Sequence, residues 1–229
     1  MSQGSDRPKP SSKPLVLVLS GPSGVGKDTV LAHLRERFPG MHYVVTATTR
    51  LPRLGEVDGR DHVFVNEAQF QEMLAKDELL EHAQVYGRWY GVPKAQVRQA
   101  LARGQDVVAR VDVQGAGSIR HQMPEAVLIF LEAPSLEELE RRLRHRSTEG
   151  GQELALRLES ARREMEQAAW FDHVVVNPTD DLERPVIRIM EILELERSQA
   201  ASRKAENGTS LDPSGLAHRH AHRRSPPRA

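Results

Sequence analysis

Five consecutive aliphatic residues, Leu15-Val16-Leu17-Val18-Leu19, run directly into Ser20-Gly21-Pro22-Ser23-Gly24-Val25-Gly26-Lys27-Asp28-Thr29, and this junction constrains the fold more than any other stretch of the chain. An unbroken aliphatic run of strand length suits a parallel sheet covered on both faces. The loop that follows fits G-x-x-x-x-G-K, and Val30, Leu31, Leu34 and Phe38 then recur at helical spacing, which predicts a helix over 28–38. Strand, glycine loop and helix in that order form an anion cradle. The glycines let backbone N–H groups converge on phosphate oxygens, the helix N-terminus adds positive charge, and the lysine reaches the β- and γ-phosphates. Gly21, Pro22, Ser23, Gly24, Val25, Gly26, Lys27 and Asp28 are therefore the expected ATP-binding loop. The motif normally places Ser or Thr after the lysine, to ligate Mg2+. Here that residue is Asp28, whose carboxylate also suits a hard cation, so Mg2+ is the expected cofactor and Asp28 an expected ligand.

The rest of the chain repeats the alternation. Strands are expected over 106–113, 126–131 and 173–176. Helices are expected around Leu136, Leu139 and Leu143, over 152–171, and around Val186, Ile189 and Leu193. Such βαβ units imply an α/β, doubly wound parallel sheet. Residues 46–104 read differently, with short alternating runs, glycine turns and two short helices, as a small α+β insertion. The ends read as disordered tails. Residues 1–14 hold three Pro and four Ser, and residues 198–229 show no apolar periodicity, so the expected folded core is 15–197.

Charge and composition exclude several classes. The chain has no cysteine, so it has no disulfide framework, redox thiol or thiolate zinc site. Its longest aliphatic run is far too short to span a bilayer and no secretory-type segment opens it, which sets the expectation of a cytoplasmic protein with no membrane partner. The 32 Lys+Arg balance 32 Asp+Glu, which argues against a dedicated nucleic-acid binder. That balance is an average, because residues 198–229 form a basic tail with six Lys/Arg against two Asp/Glu, and the core is net acidic. A core of that sign must concentrate positive charge locally to hold phosphates.

The insertion supplies an acceptor site. In Thr46-Ala47-Thr48-Thr49-Arg50-Leu51-Pro52-Arg53-Leu54-Gly55-Glu56, two arginines stand three apart in a Pro-stiffened loop, and paired guanidinium forks suit a monophosphate. Glu81 and the aromatic stretch from Tyr86 to Tyr90-Gly91-Val92-Pro93 add a carboxylate and rings to the same region.

Taken together, the ordered segments GPSGVGKD, TTRLPRLGEVDGRDHVFV, LLEHAQVYGRWYGVP, VDVQGAGSIR, RRLRHRSTE and VVVN resemble the guanylate kinase family across 15–197. The resemblance implies a P-loop nucleoside-monophosphate kinase fold with a GMP-binding insertion and a mobile lid at about 142–157. The implied reaction is ATP + GMP to ADP + GDP, with dGMP as a further acceptor, in a monomer or homodimer. By position it implies that Arg50, Arg53 and Tyr90 hold the GMP phosphate, with Glu56 supporting their loop. Thr46 and Glu81 would read guanine, Asp112 would join Asp28 in the Mg2+ shell, and Asn177 would lie near adenine. Arg142, Arg146 and Arg157 match the lid arginines, whereas Arg141, Arg144, Arg162 and Arg163 read as a solvated face paired with glutamates. Three positions depart from the family's usual pattern. His62 stands where a Tyr donates to the GMP phosphate, Val92 replaces a Ser or Thr at the base, and Arg110 replaces the first Asp of a D-x-D pair. Two other readings of the loop stay open: a kinase for a ribose bisphosphate, where Lys-Asp also occurs, and a non-catalytic interaction module.

Overall fold

The structure, a computed structural model, describes residues 13–85, 87–146 and 151–209, the side chains of 146, 151–153 and 203–209 excepted. The aliphatic run forms β1 (Val16–Ser20) at the centre of a five-stranded sheet. Its order is β2 (His42–Tyr43), β7 (Val107–Arg110), β1, β8 (Val127–Glu132), β9 (His173–Val176), and every pairing is parallel. Both faces of β1 are covered. Leu17 and Leu19 enter one core with Val30 and Leu34 of α1 (Lys27–Arg37) and Ile189 and Ile192 of α7 (Glu183–Thr209). Val16 and Val18 enter the other, with Val97 and Ala100 of α3 (Lys94–Ala102) and Ala116 and Ile119 of α4 (Val113–Gln122). The neighbours of β1, β7 and β8, come later in the chain and lie on opposite sides of it, so a crevice opens at the carboxyl end of β1, where α/β sheets bind ligands.

The insertion builds a second sheet, ordered β4 (Val63–Phe64), β3 (Ala47–Thr48), β6 (Arg88–Pro93), β5 (Leu79–Val85), with α2 (Glu67–Ala75) over it. Its own small core gathers Ala47, Phe70 and Leu79, and Phe70 stacks on Trp89 at 5.7 Å between ring centroids. The last insertion helix, α3, packs on the main sheet and not on this small core. α5 (Leu136–Arg146) and α6 (Gly151–Glu166) pack Leu139, Leu143 and Ala161 into the core shared with α1 and flank in sequence residues 147–150 of the expected lid, which lie outside the described residues.

Three expectations need correction. The strand placed over 106–113 stops at Arg110, and Val113 opens α4. Gly115 and Gly117 masked that helix in the sequence, because glycine disfavours helix interiors by about 1 kcal/mol each. It forms nonetheless, because the Asp112 side chain caps it (Gly115 N–H to Oδ1, 2.7 Å) and Ala116 and Ile119 are fully buried. The helix expected over 152–171 ends at Glu166, and Gln167–Trp170 tightens into one 3-10 turn. The basic tail expected to be disordered from 198 instead continues α7 to Thr209, through a run containing Ala200, Ala201, Ala205, Lys204 and Glu206, all good helix formers. Residues 1–12 and 210–229 lie outside the described residues.

Candidate active site

Between β1 and α1 the chain folds as its glycines require. Gly21 has φ +138°, and a Cβ there would stand 2.2 Å from the Leu131 carbonyl oxygen of β8. Gly26 has φ +101° and starts α1, with the Asn177 amide where its Cβ would be. Both positions combine a left-handed backbone with no room for a side chain, so the loop is pressed against its neighbours. Lys27 folds back over this loop, donating from Nζ to the carbonyls of Gly21 (2.5 Å) and Pro22 (3.0 Å). Burial lowers its pKa to about 8 against the raising effect of Glu164. Glu164, on α6, accepts the Ser23 N–H at 3.0 Å, and burial raises its own pKa.

A cavity of about 610 Å³ lies between this loop and the inserted lobe. Lys27, Asp28, Arg110 and Asp112 line its sheet end. Arg50, Arg53, Glu56, His62 and Tyr90 line the lobe, and Thr46 and Glu81 its wall. Glu56 braces the arginine loop, taking both Arg50 guanidinium nitrogens at 2.9 Å and the Arg53 N–H at 2.7 Å. Through that fork, with Tyr90 adding to it, Glu56 holds Arg50 firmly charged, while Arg50 holds Glu56 ionised. The His62 ring sits edge-on to Tyr90 and shares a 2.9 Å hydrogen bond with the Thr46 hydroxyl through Nδ1. Burial first, then Arg110 and Arg50, lower its pKa, so it is mainly neutral at pH 7.

Glu81 is the outlier. It is buried on β5, and burial, with the Asp112 charge adding to it, raises its pKa to about 8. A carboxylate kept in so costly a place is poised for a ligand that donates two hydrogen bonds to it. Gly115 makes room for it, since a Cβ there would stand 2.6 Å from Glu81 Oε2. Gly115→Ala is expected to raise the acceptor KM about tenfold with the ATP KM unchanged, although alanine favours the helix. Steady-state kinetics with each substrate varied in turn will decide this, and an unchanged acceptor KM would show that the Glu81 carboxylate accommodates the added methyl.

Other expected site residues stand outside this cavity. Arg142 pairs with Glu138 and donates to the carbonyls of Val25 (3.1 Å) and Asn177 (2.9 Å), bracing the back of the loop. Asn177 is buried, donates through Nδ2 to the Val25 carbonyl at 2.8 Å, and leaves its Oδ1 without a partner. Arg157 lies on α6, partly buried. The side chain of Arg146 lies outside the described residues, as does Tyr86. Arg141, Arg144, Arg162 and Arg163 pair with Glu138, Glu140 and Glu159. Val92 is wholly buried in the core and does not line this cavity. Sequence reasoning missed Glu164 and Gly115: the first is one more charge on a charged helix, and the second carries no side chain to signal a role.

Comparison with known proteins gives a consistent result. A family model described as guanylate kinase matches residues 11–196. A guanylate kinase of Gloeobacter violaceus is 51% identical over 176 residues, covering 77% of this chain and 85% of that protein. The chloroplastic/mitochondrial guanylate kinase 2 of Oryza sativa is 47% identical over 195 residues, covering 85% and 68%. The crystal structure of guanylate kinase from Anaplasma phagocytophilum superposes with a TM-score of 0.67 at 35% identity, covering 81% of this chain and 87% of the other.

Proposed function

The chain belongs to the guanylate kinase family and transfers a phosphoryl group from ATP to GMP; on that premise we propose that the transfer is direct, in-line and Mg2+-dependent, and takes place in the cavity between phosphate loop and inserted lobe. The observation that carries this reading is that one cavity is lined by Lys27 of the loop together with Arg50, His62 and Glu81 of the inserted lobe. The donor phosphates lie on the loop amides and Lys27. The acceptor phosphate lies among Arg50, Arg53, His62 and Tyr90, and its guanine takes Glu81 and Thr46. Asn177, held against the loop through the Val25 carbonyl, is the residue of this reading nearest the adenine side.

The GMP phosphate is already mostly dianionic at neutral pH, so no general base is required. Its oxygen attacks the γ-phosphorus while the bond to the bridging oxygen breaks and the electron pair leaves with ADP. Positioning and charge neutralisation then supply the catalysis. Asp28 and Asp112 put two carboxylates on the cavity wall, a donor set that suits Mg2+ together with substrate phosphates. When bound, the ion supplies further neutralisation of the β- and γ-oxygens. In this reading Arg146 and Arg157 neutralise the transferring group when the segment at about 142–157 closes and excludes water, while Arg142, expected among them, instead braces the loop through the Val25 and Asn177 carbonyls. Among the described residues no helix is long and apolar enough to cross a membrane. Purine nucleotide recycling in the cytoplasm is part of the same proposal.

The test is ADP release measured with GMP, dGMP, AMP, UMP and ribose phosphates, with and without EDTA. ADP is expected with GMP and dGMP, and to vanish in EDTA. Undiminished turnover in EDTA would remove Mg2+ from the reading, and turnover with a ribose phosphate but not GMP would overturn the acceptor. Neither a ribose bisphosphate acceptor nor a non-catalytic module is favoured, because the loop keeps Lys27 and the lobe keeps a buried carboxylate at the base position.

A further inference from the structure

Positions 28 and 110 both depart from the usual pattern, in opposite senses of charge: a hydroxyl has become the carboxylate of Asp28 and a carboxylate the guanidinium of Arg110. The structure brings the two together across 82 residues of sequence. Arg110 ends β7, opposite Leu19 in the β1 register, two residues before Gly21 opens the phosphate loop. Its Nη1 is ion-paired with Asp28 Oδ1. The arginine side chain is mostly covered, at 24% exposure, while the aspartate is 75% exposed, so the pair joins a covered cation to an exposed anion.

Arg110 also lies where donor and acceptor must meet. It lines the same cavity as Lys27 on one side and Arg50 and His62 on the other. Its charge depresses the pKa of both Lys27 and His62, which places it within electrostatic reach of both ends. Three cations turned on one partly desolvated space repel one another unless an anion lies between them. Asp28 pairs with Arg110 and Glu56 with Arg50.

We propose that Arg110 is a further catalytic residue, parked on Asp28 while the cavity is empty and transferred to the phosphate oxygens at the donor–acceptor junction when the nucleotides bind. The inference rests on the reading that this cavity holds the acceptor phosphate next to the γ-phosphoryl group. Arg110 makes and breaks no covalent bond and keeps its protons. As the acceptor oxygen bonds to phosphorus and the bridging bond breaks, its fork neutralises the charge spread over the equatorial oxygens. Arginine suits this role because it binds phosphate through two parallel N–H bonds.

The experiment uses the full chain with Arg110→Met, Arg110→Lys, Asp28→Asn and the double variant. Arg110→Met is expected to lower kcat about 10²-fold, the loss typical of one preorganised charge-stabilising donor, with lysine recovering only part of it. The second readout is GMP binding by calorimetry without metal. Asp28→Asn is expected to tighten GMP binding several-fold by releasing Arg110, and to do nothing in the Arg110→Met background. A structural ion pair would not tighten binding when broken. Unchanged kcat in Arg110→Met, or metal-free GMP binding that Asp28→Asn leaves equal or weaker, overturns the proposal. Lys27→Ala serves as the control: if it keeps wild-type turnover, the placement of the site has failed, whereas an inactive Lys27→Ala beside a fully active Arg110→Met refutes only the role of Arg110.

Discussion

Lys27→Met is expected to lower kcat/KM for ATP about 10³-fold, a loss of about 4 kcal/mol of transition-state stabilisation, while the fold persists. The fold should persist because Lys27 is linked to its own loop by hydrogen bonds to the carbonyls of Gly21 and Pro22, and the neighbouring glycines set that loop's shape without it. The catalytic loss follows from electrostatics. Burial has already lowered the lysine's pKa to about 8, so the free enzyme holds a cation in a place that disfavours it. The γ-phosphate is the anion that relieves this cost, and its relief grows as charge spreads in the transition state. It follows that ATP binding raises the Lys27 pKa and takes up a proton at and above pH 8, and that ATP affinity declines as pH rises through that range. Calorimetry in two buffers of different ionisation enthalpy measures the proton directly. Circular dichroism of the Met variant separates loss of fold from loss of function. A folded Met variant with near-normal kcat/KM would remove Lys27 from the reaction.

The loop was legible in the sequence because every level agreed on it: an aliphatic run of strand length, glycines where the backbone turns left-handed, and a helix whose apolar spacing begins just after the lysine. The residues around it were not legible, because their meaning depends on partners far along the chain. Glu164 meets Ser23 across 141 residues, and in sequence it is only one of several glutamates in a charged helix. Asp28 and Arg110 read as two separate departures until the parallel pairing of β1 with β7 sets them side by side. Gly115 argued against a helix by propensity, and the structure gives it a different purpose, which is to leave room for the Glu81 carboxylate. Local signals locate the donor loop, and the ordered segments locate Arg50, Arg53 and Glu81, whereas the contacts that join β5, α4 and β7 around them are set by tertiary structure.

Glu81→Gln is expected to lower kcat/KM for GMP about 10³-fold and to leave turnover with AMP nearly unchanged, so that most of the preference for guanine disappears. An ionised carboxylate accepts from guanine N1–H and N2–H together, whereas a carboxamide must present one donor to them, and a buried site left with mismatched groups discriminates by several powers of ten. The wild-type protein carries a second signature of the same contact. Burial and Asp112 raise the Glu81 pKa to about 8, so in the free protein the carboxyl is mostly protonated at pH 7. A raised carboxyl pKa favours the folded state at low pH, and that contribution is lost as pH rises from the ordinary carboxylate range through about 8. Guanine binds the ionised form, so GMP binding releases a proton below pH 8 and its affinity rises between pH 7 and pH 8.5, above the second ionisation of the phosphate. ATP and GMP are therefore linked to protons with opposite signs, uptake at Lys27 and release at Glu81. In Glu81→Gln the GMP-linked release should vanish while the ATP-linked uptake remains. A wild-type GMP affinity that stays flat from pH 7 to pH 8.5 would show that guanine does not bind to this carboxylate.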